Sequence, residues 1–442
     1  MPASRDTGSS QVEPLEDGRG RGRTALLLHH MQGWRTFKSF VRYPTFRWYM
    51  LSTTAHGSAM NMQQLVRGYL VFQLTSSFSA LGLLALANAL PRLGLALIGG
   101  LLADRSNKRH VIQAGQAVNF VFSIAVAILL LRDALRFEHL LFAAAIQGIA
   151  NSFVMPSRSS MIPSLVKRSL FTNAVALNQG SQNVMRLLAP ALAGLLVAVM
   201  GAALVYLVMA GLYVLAILSL FRVPPLGPEK PPAGTPPRPG NTLQRAWGDV
   251  IDGLRYIAGN RPLLLLMGVH MAIGAFVMPY QRMLPGFVET VLGAGAWELG
   301  VLMMLTGLGA LFGSLLIASI PPHRRGRNLL LSGLLFAVAL ALFATSRSVW
   351  FTMVIVVVIG IGQATRQALN FALVQSNLSD AYRGRVMSVY MMEMGLISLG
   401  AYGVGMVAEW VGIQVALGGA ALMILLLLSG VYLFVPSYRQ LD

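Results

Sequence analysis

The residues of this chain that could do chemistry lie inside apolar segments. Glu393, in Tyr390-Met391-Met392-Glu393-Met394-Gly395, is the acid set deepest in one. A carboxyl in such surroundings can take up and release protons. His56 and His270 are further candidates, because imidazole titrates near physiological pH; hydrogen bonding alone would also account for them. Arg67, Arg92, Arg158, Arg186, Arg282 and Arg366 set an excess of positive charge against that single acid. A charged side chain in the middle of a membrane helix costs at least about 2.5–3.5 kcal/mol, so each is by default a functional candidate. Together they would form a cavity field that favours anionic or neutral amphipathic solutes over cations. Asn61, Gln63, Gln64 and Arg67 cluster on one segment, and Gln281-Arg282 falls at the matching place on another. They read as cavity lining, against the alternative of hydrogen bonds between helices and snorkelling arginines.

Those residues need helices to position them. The chain has 442 residues, 55% of them hydrophobic and 11% charged. Soluble domains carry about 25% charged residues, so this composition is that of a multi-pass membrane protein. Twelve runs are long and apolar enough to span: 47–74, 79–103, 110–131, 139–160, 172–198, 201–222, 262–288, 297–320, 328–345, 349–374, 386–409 and 413–435. A spanning helix needs about 20 such residues. A β-barrel would alternate over short segments, and these runs do not. With the N-terminus cytoplasmic, the inner loops hold 16 basic residues and the outer loops three, Arg132, Arg136 and Arg347. The asymmetry predicts a cell (inner) membrane protein with both termini in the cytoplasm. The net charge of +18 then belongs to these loops, not to nucleic-acid binding. There is no cysteine and no His-Glu-x-x-His, so neither a thiolate enzyme, a disulfide framework nor a zinc protease is encoded, and no metal or cofactor is called for.

The predicted organisation is a polar tail (1–45), a six-helix bundle (46–222), a cytoplasmic linker (223–261), a second six-helix bundle (262–435) and a short tail (436–442). Pro224 to Pro239 is Pro/Gly-rich. After it, Leu243, Trp247, Val250, Ile251, Leu254 and Ile257 make one helical face, with Arg245, Asp249, Asp252 and Arg255 on the other. That is an amphipathic helix on the membrane or on the bundle underside. A weak internal repeat supports two homologous halves: Gly148-Ile149-Ala150 matches Gly360-Ile361-Gly362, and Gly100 matches Gly313. Two related halves around a midplane site is the plan of secondary transporters.

The joint after the second segment is Gly99-Gly100-Leu101-Leu102-Ala103-Asp104-Arg105-Ser106-Asn107-Lys108-Arg109-His110. Asp104 would sit at a helix C-terminus, where the macrodipole disfavours an acid by roughly 0.3–1 kcal/mol. Read alone, it is either a solvated loop acid beside Arg105 or an acid serving another element.

Gly100-x-Leu102-Ala103-Asp104-Arg105-x-Asn107-Lys108-Arg109 resembles the loop 2–3 signature of the major facilitator superfamily, with Asn107 where the family usually has Gly. Asn tolerates the left-handed backbone that such a Gly supplies. Ala89-Leu90-Pro91-Arg92-Leu93, Pro156-Ser157-Arg158 and Ile162-Pro163-Ser164-Leu165-Val166 are similar to the drug and siderophore branch, that of macrolide and enterobactin exporters. Ala189-Pro190-Ala191-Leu192-Ala193-Gly194 resembles its antiporter motif, with Ala for two glycines. The resemblance implies an all-α membrane protein of twelve transmembrane helices in two pseudo-symmetric halves. It implies a monomeric, proton-coupled antiporter working by alternating access, with a small-molecule substrate, protons and membrane lipid as its partners. An importer or lipid transporter of the same fold, and a non-transporting membrane sensor, are the alternatives. The resemblance also implies a conformational latch of Gly100, Asp104, Arg105, Arg109, Arg158 and Arg385, in which Asp104 docks near the start of span 11 and the span 4 arginine. The second half keeps Gly313 but puts no acid before His323-Arg324-Arg325-Gly326-Arg327, so the latch is expected on one half alone.

Overall fold

The computed structural model describes residues 38–225, 242–319 and 324–441; within these, the side chains of 38, 41, 96–105, 242–247 and 318 are not described. The expected tail before residue 38, and most of the Pro/Gly-rich linker, lie outside the described residues.

In chain order the helices are α1 (Lys38–Arg42), α2 (Pro44–Thr75), α3 (Phe78–Arg105), α4 (Lys108–Leu131), α5 (Phe137–Leu165), α6 (Phe171–Met200), α7 (Ala202–Leu220), α8 (Thr242–Gly259), α9 (Arg261–Phe276), α10 (Tyr280–Thr290), α11 (Ala296–Ser319), α12 (Arg325–Thr345), α13 (Val349–Ser376), α14 (Arg383–Met391), α15 (Glu393–Val411), α16 (Ile413–Phe434) and α17 (Pro436–Arg439). Eleven segments among the described residues are long and apolar enough to cross a membrane. The twelfth span is α2. It fails on apolarity because it carries His56, Asn61, Gln63, Gln64 and Arg67. Its polar groups are mostly buried inside the first bundle, where protein atoms, not lipid, surround them.

Spans 7 and 11 are each broken. Span 7 is α9 followed by α10, interrupted at Val277-Met278-Pro279, where Pro279 cannot extend the ladder. Span 11 is α14 followed by α15, and the break at Met392 makes Glu393 the first residue of the second piece. Broken helices expose backbone only where protein or a cavity covers it, and mark binding sites in transporters.

The same helix pairs recur in both halves. Spans 2 and 4 pack as 8 and 10 do, and 3 with 6 as 9 with 12. The halves meet along two seams, span 2 against 11 and span 5 against 8, which exchange under the pseudo-two-fold. Small residues let the backbones close. Gly405 meets the Phe78 carbonyl, Gly82 meets Ala401 and Tyr402, and Gly194 meets Ala296 and Gly300. These contacts run from the end opposite the termini to the middle, where Leu93 packs on Gly395. At that opposite end Phe72 and Phe78 face each other at 5.0 Å, with Gly286 wedged beside both rings. Ser77 Oγ (2.6 Å) and the Ser79 N–H (3.1 Å) donate to Glu409 of the other half. Trp350 and Trp410 are largely exposed, as aromatic anchors are at a membrane interface.

Candidate functional site

The second half holds a buried charged cluster made by three spans. On α13, Gln363, Arg366 and Gln367 share one face, being three and four residues apart. Arg366 is 2% exposed, yet it meets two partners. Its Nη1 lies 3.1 Å from His270 Nδ1 on α9, and its Nη2 lies 3.9 Å from Glu393 Oε1 on α15. His270 Nε2 in turn lies 2.9 Å from Glu393 Oε2. A guanidinium only donates, so Nδ1 must accept and the ring proton sits on Nε2, towards Glu393. That N–H is not aligned with the oxygen, so the 2.9 Å approach is a polar contact of the neutral ring rather than a linear hydrogen bond. Tyr390 stacks flat on the imidazole at 4.3 Å and fixes the ring plane. With His270 neutral, an ionised carboxylate at Glu393 would balance the single positive charge of Arg366.

Glycine makes this possible. A Cβ at Gly274 would stand 2.7 Å from Glu393 Cγ, so any other residue there would push the carboxyl away. The carboxyl also lies at the start of a half-helix, where the macrodipole favours negative charge.

The cluster opens on a cavity of about 150 Å³ lined by Met278, Gln281, Arg282, Gln363, Arg366, Gln367, Glu393 and Ile397. Gln281 Nε2 donates to Gln363 Oε1 at 3.1 Å. The Arg282 side chain is exposed, lines the cavity and forms no hydrogen bond or ion pair among the described residues. Glu393, His270, Arg366, Gln281 and Arg282 are thus brought together. Gln363 and Gln367 were missed by the sequence reading, although their spacing around Arg366 was there to be read.

The first half holds a related cluster with no acid among its described residues. His56 Nδ1 lies 3.1 Å from Gln116 Oε1. Arg158 Nη1 donates to Thr53 Oγ1 at 2.8 Å, and Tyr49 Oη to the Arg158 carbonyl at 2.9 Å. Arg67 donates to Gln147. Gln182 donates to the Thr53 carbonyl at 3.1 Å and abuts Gly57 as Glu393 abuts Gly274. Asn61 turns back on its own helix, to the Gly57 carbonyl. Gln63 is buried, whereas Gln64 and Arg186 are exposed and Arg92 is half-buried.

Of the expected latch residues, Arg109, Arg158 and Arg385 have described partners, and each meets a different one. The side chains of Gly100, Asp104 and Arg105 lie outside the described ones. Arg158 is inside the first half, on Thr53. Arg109 donates to the Val223 carbonyl at 3.0 Å and lies over the Phe221 ring. Arg385 is held by the linker helix α8, with Nε 2.9 Å from Asp249 and Nη1 3.6 Å from Asp252. Tyr256 of α8 stacks on Tyr382 at 4.3 Å, and the Arg385 guanidinium lies over that same ring. Asn107 is not left-handed: its φ is −67°, and its side chain caps α4 by accepting from the Arg109 N–H at 3.1 Å. An N-cap role explains an Asn there without any need for a Gly-like backbone.

The model of the family described as Transmembrane secretion effector matches residues 36–442. The chain belongs to that family. It is a multi-pass membrane transporter of the drug and siderophore efflux branch of the major facilitator superfamily. It is 25% identical to the staphyloferrin A transporter of Staphylococcus aureus, over 77% of this chain and 84% of that one. It is 25% identical to the multidrug efflux pump Tap of Mycolicibacterium fortuitum, over 85% and 91%. It is 26% identical to the enterobactin exporter EntS of Shigella boydii, over 78% and 81%. Among solved structures, the nucleoside transporter NupG superposes with a TM-score of 0.69 at 13% identity, over 88% of this chain and 99% of that one. A variant of the peptide transporter POT gives 0.72 at 12%, over 90% and 96%. Identities so low speak for the fold alone.

Proposed function

We propose that the protein is a proton-coupled exporter of small amphipathic compounds, anionic or neutral, such as drugs or siderophores, working by alternating access as a monomer. The observation that carries this reading is Glu393, held at the break of span 11 between His270 and Arg366 and lining the cavity. When Glu393 is ionised, it neutralises Arg366. When it is protonated, that positive charge faces the cavity unbalanced. A proton on Glu393 therefore changes both the field that a solute meets and the attraction that ties span 11 to spans 7 and 10. The basic loops support a cytoplasmic position for the termini and linker, and the contacts between halves concentrate at the opposite end. In this reading the cavity is closed to the outside, and the Asp104 region closes the cytoplasmic side in the other state. The efflux and siderophore-export names of the relatives support the outward direction.

The test is transport in proteoliposomes with Glu393→Gln. Flux driven by a pH gradient should be lost, while substrate exchange without a gradient survives. Wild-type coupling in that variant would remove Glu393 from the mechanism. Comparing inside-out with right-side-out vesicles separates export from import or lipid movement. Absence of flux for every anionic and cationic compound screened would favour a sensor.

A further inference from the structure

We infer that the first half binds the headgroup of an anionic phospholipid at Arg47 and Arg222, where the chain enters span 1 and leaves span 6. This surface is separate from the cavity, and it does not depend on the reading of Glu393.

The site is built from two arginines and the rings they lie on. Arg47 and Trp48 are neighbours near the start of α2. The Arg47 guanidinium lies over the Phe40 ring of α1 at 5.7 Å, and its Nε donates to the Phe40 carbonyl at 2.6 Å. Arg222 comes from just beyond the end of α7, and its guanidinium lies over the Trp48 ring at 5.0 Å. Trp48 thus joins the two cations: one stacks on it, and the other precedes it in the chain. Both arginines are exposed, as is Phe40. A ring takes the face of a guanidinium and leaves its N–H edge, the part that grips a phosphate. Arg222 forms no hydrogen bond or ion pair among the described residues. The acids of this half with described side chains, Asp133 and Glu138, lie between α4 and the first turn of α5, at the opposite end. No described carboxylate of this half therefore competes for the pair.

Charge alone would suit a free anion, but the apolar surface beside it points to a lipid. Leu215 and Leu218 of α7 are exposed. Arg222 follows them by seven and four residues, the spacing of one helix side. Phe221 stands next to it, 59% exposed. An acyl chain can run along the leucines while its phosphate stays at the arginines. Aromatic rings at headgroup level, with basic residues beside them, are how membrane proteins meet anionic lipids at the cytoplasmic surface. The bound lipid would bridge three elements: α1, the start of span 1 and the end of span 6.

Tryptophan quenching in lipid nanodiscs tests this. The full chain is placed in discs of phosphatidylcholine and phosphatidylglycerol, with one lipid or the other carrying brominated acyl chains. The Trp48 signal is the difference made by Trp48→Phe in each background. The measured quantity is the ratio of quenching by the two brominated lipids within one variant, so a change in Trp48 brightness does not enter it. Wild type should favour phosphatidylglycerol. Arg47→Gln and Arg222→Gln should each lower that preference about fivefold, the weight of one basic residue at an anionic surface, and the double variant should approach parity. Arg222→Lys, which keeps the charge, should retain most of it. Arg439→Gln removes an arginine that lies over Tyr432 in the second half and should change nothing. Equal quenching by both lipids in wild type would overturn the site without recourse to any variant. So would a full preference in the double variant, or an equal loss in Arg439→Gln, which would reduce the effect to overall charge. Relief of the quenching by inorganic phosphate at fixed ionic strength would show a free-anion site and overturn the lipid.

Discussion

Glu409 joins the halves at the end opposite the termini, and its removal should loosen that end. The carboxylate belongs to α15. It accepts from the Ser77 hydroxyl at 2.6 Å and from the Ser79 N–H at 3.1 Å, where α3 begins at Phe78. It thus caps the N-terminus of a helix in the other half. An N-cap is worth about 1 kcal/mol, and a charge at that end adds a few tenths when exposed. Glu409 is exposed, so the lower figure applies: about 1 kcal/mol, or roughly fivefold in the ratio of closed to open.

The chain has no cysteine, so labels can be placed without background. Glu138→Cys on α5 and Arg347→Cys before α13 are exposed and lie in different halves at that end. Spin labels on this pair report their separation by pulsed dipolar spectroscopy. Glu409→Ala should move population towards the longer distance by about fivefold. Glu409→Gln, which can still accept, should move it less. Superimposable distance distributions for wild type and Glu409→Ala would show that the Phe72–Phe78–Gly286 wedge, not the cap, closes this end.

Two further outcomes follow from the same geometry. Gly274→Ala puts a methyl group 2.7 Å from Glu393 Cγ and should abolish proton-driven flux in proteoliposomes at a melting temperature lowered by only a few degrees; full flux would show that the carboxyl can move aside at no cost. Asp249→Asn with Asp252→Asn releases Arg385 from the linker helix. Because the pair is half-exposed, less than about 1 kcal/mol of stability should be lost, while amide exchange in residues 249–257 rises measurably; unchanged protection would mean that the Tyr256–Tyr382 stack alone holds α8.

The fold was legible because membrane helices announce themselves by length, apolarity and loop charge. The resemblance at Asp104 then supplied the topology. The breaks in spans 7 and 11 were not legible, since Pro279 occurs in a run that stays apolar and Met392 is an ordinary helix former. Both breaks become visible only when neighbouring spans are in place. Glu393 and His270 were readable as rare polar residues in apolar runs. Their pairing was not, because nothing in the sequence sets three spans side by side. Asp249 and Asp252 stood on a polar face whose simplest use is to meet solvent, and their hold on Arg385 needed the position of span 11. Asn107 illustrates the converse: a family pattern suggested a backbone role, and the side chain proved to be a helix cap.

The internal repeat sets up a last test of where coupling resides. Each half has a histidine on its first span and an arginine on its fourth, His56 with Arg158 and His270 with Arg366. Each half also has a glycine pressed by a side chain of its fifth span. In the second half that side chain is Glu393; in the first it is Gln182, which shares Thr53 with Arg158. Among the described residues, the first half therefore carries the basic partners with an amide where the second half has its acid. If the acid is the one missing part, Gln182→Glu in a Glu393→Gln background should recover a measurable fraction of the proton-driven flux that Glu393→Gln loses. Exchange without a gradient should stay unchanged. If the double variant exchanges substrate but shows no recovered proton coupling, then the His270–Arg366 geometry, with its 3.1 Å contact and stacked Tyr390, matters beyond the presence of a carboxyl. The two halves would then differ by more than one side chain.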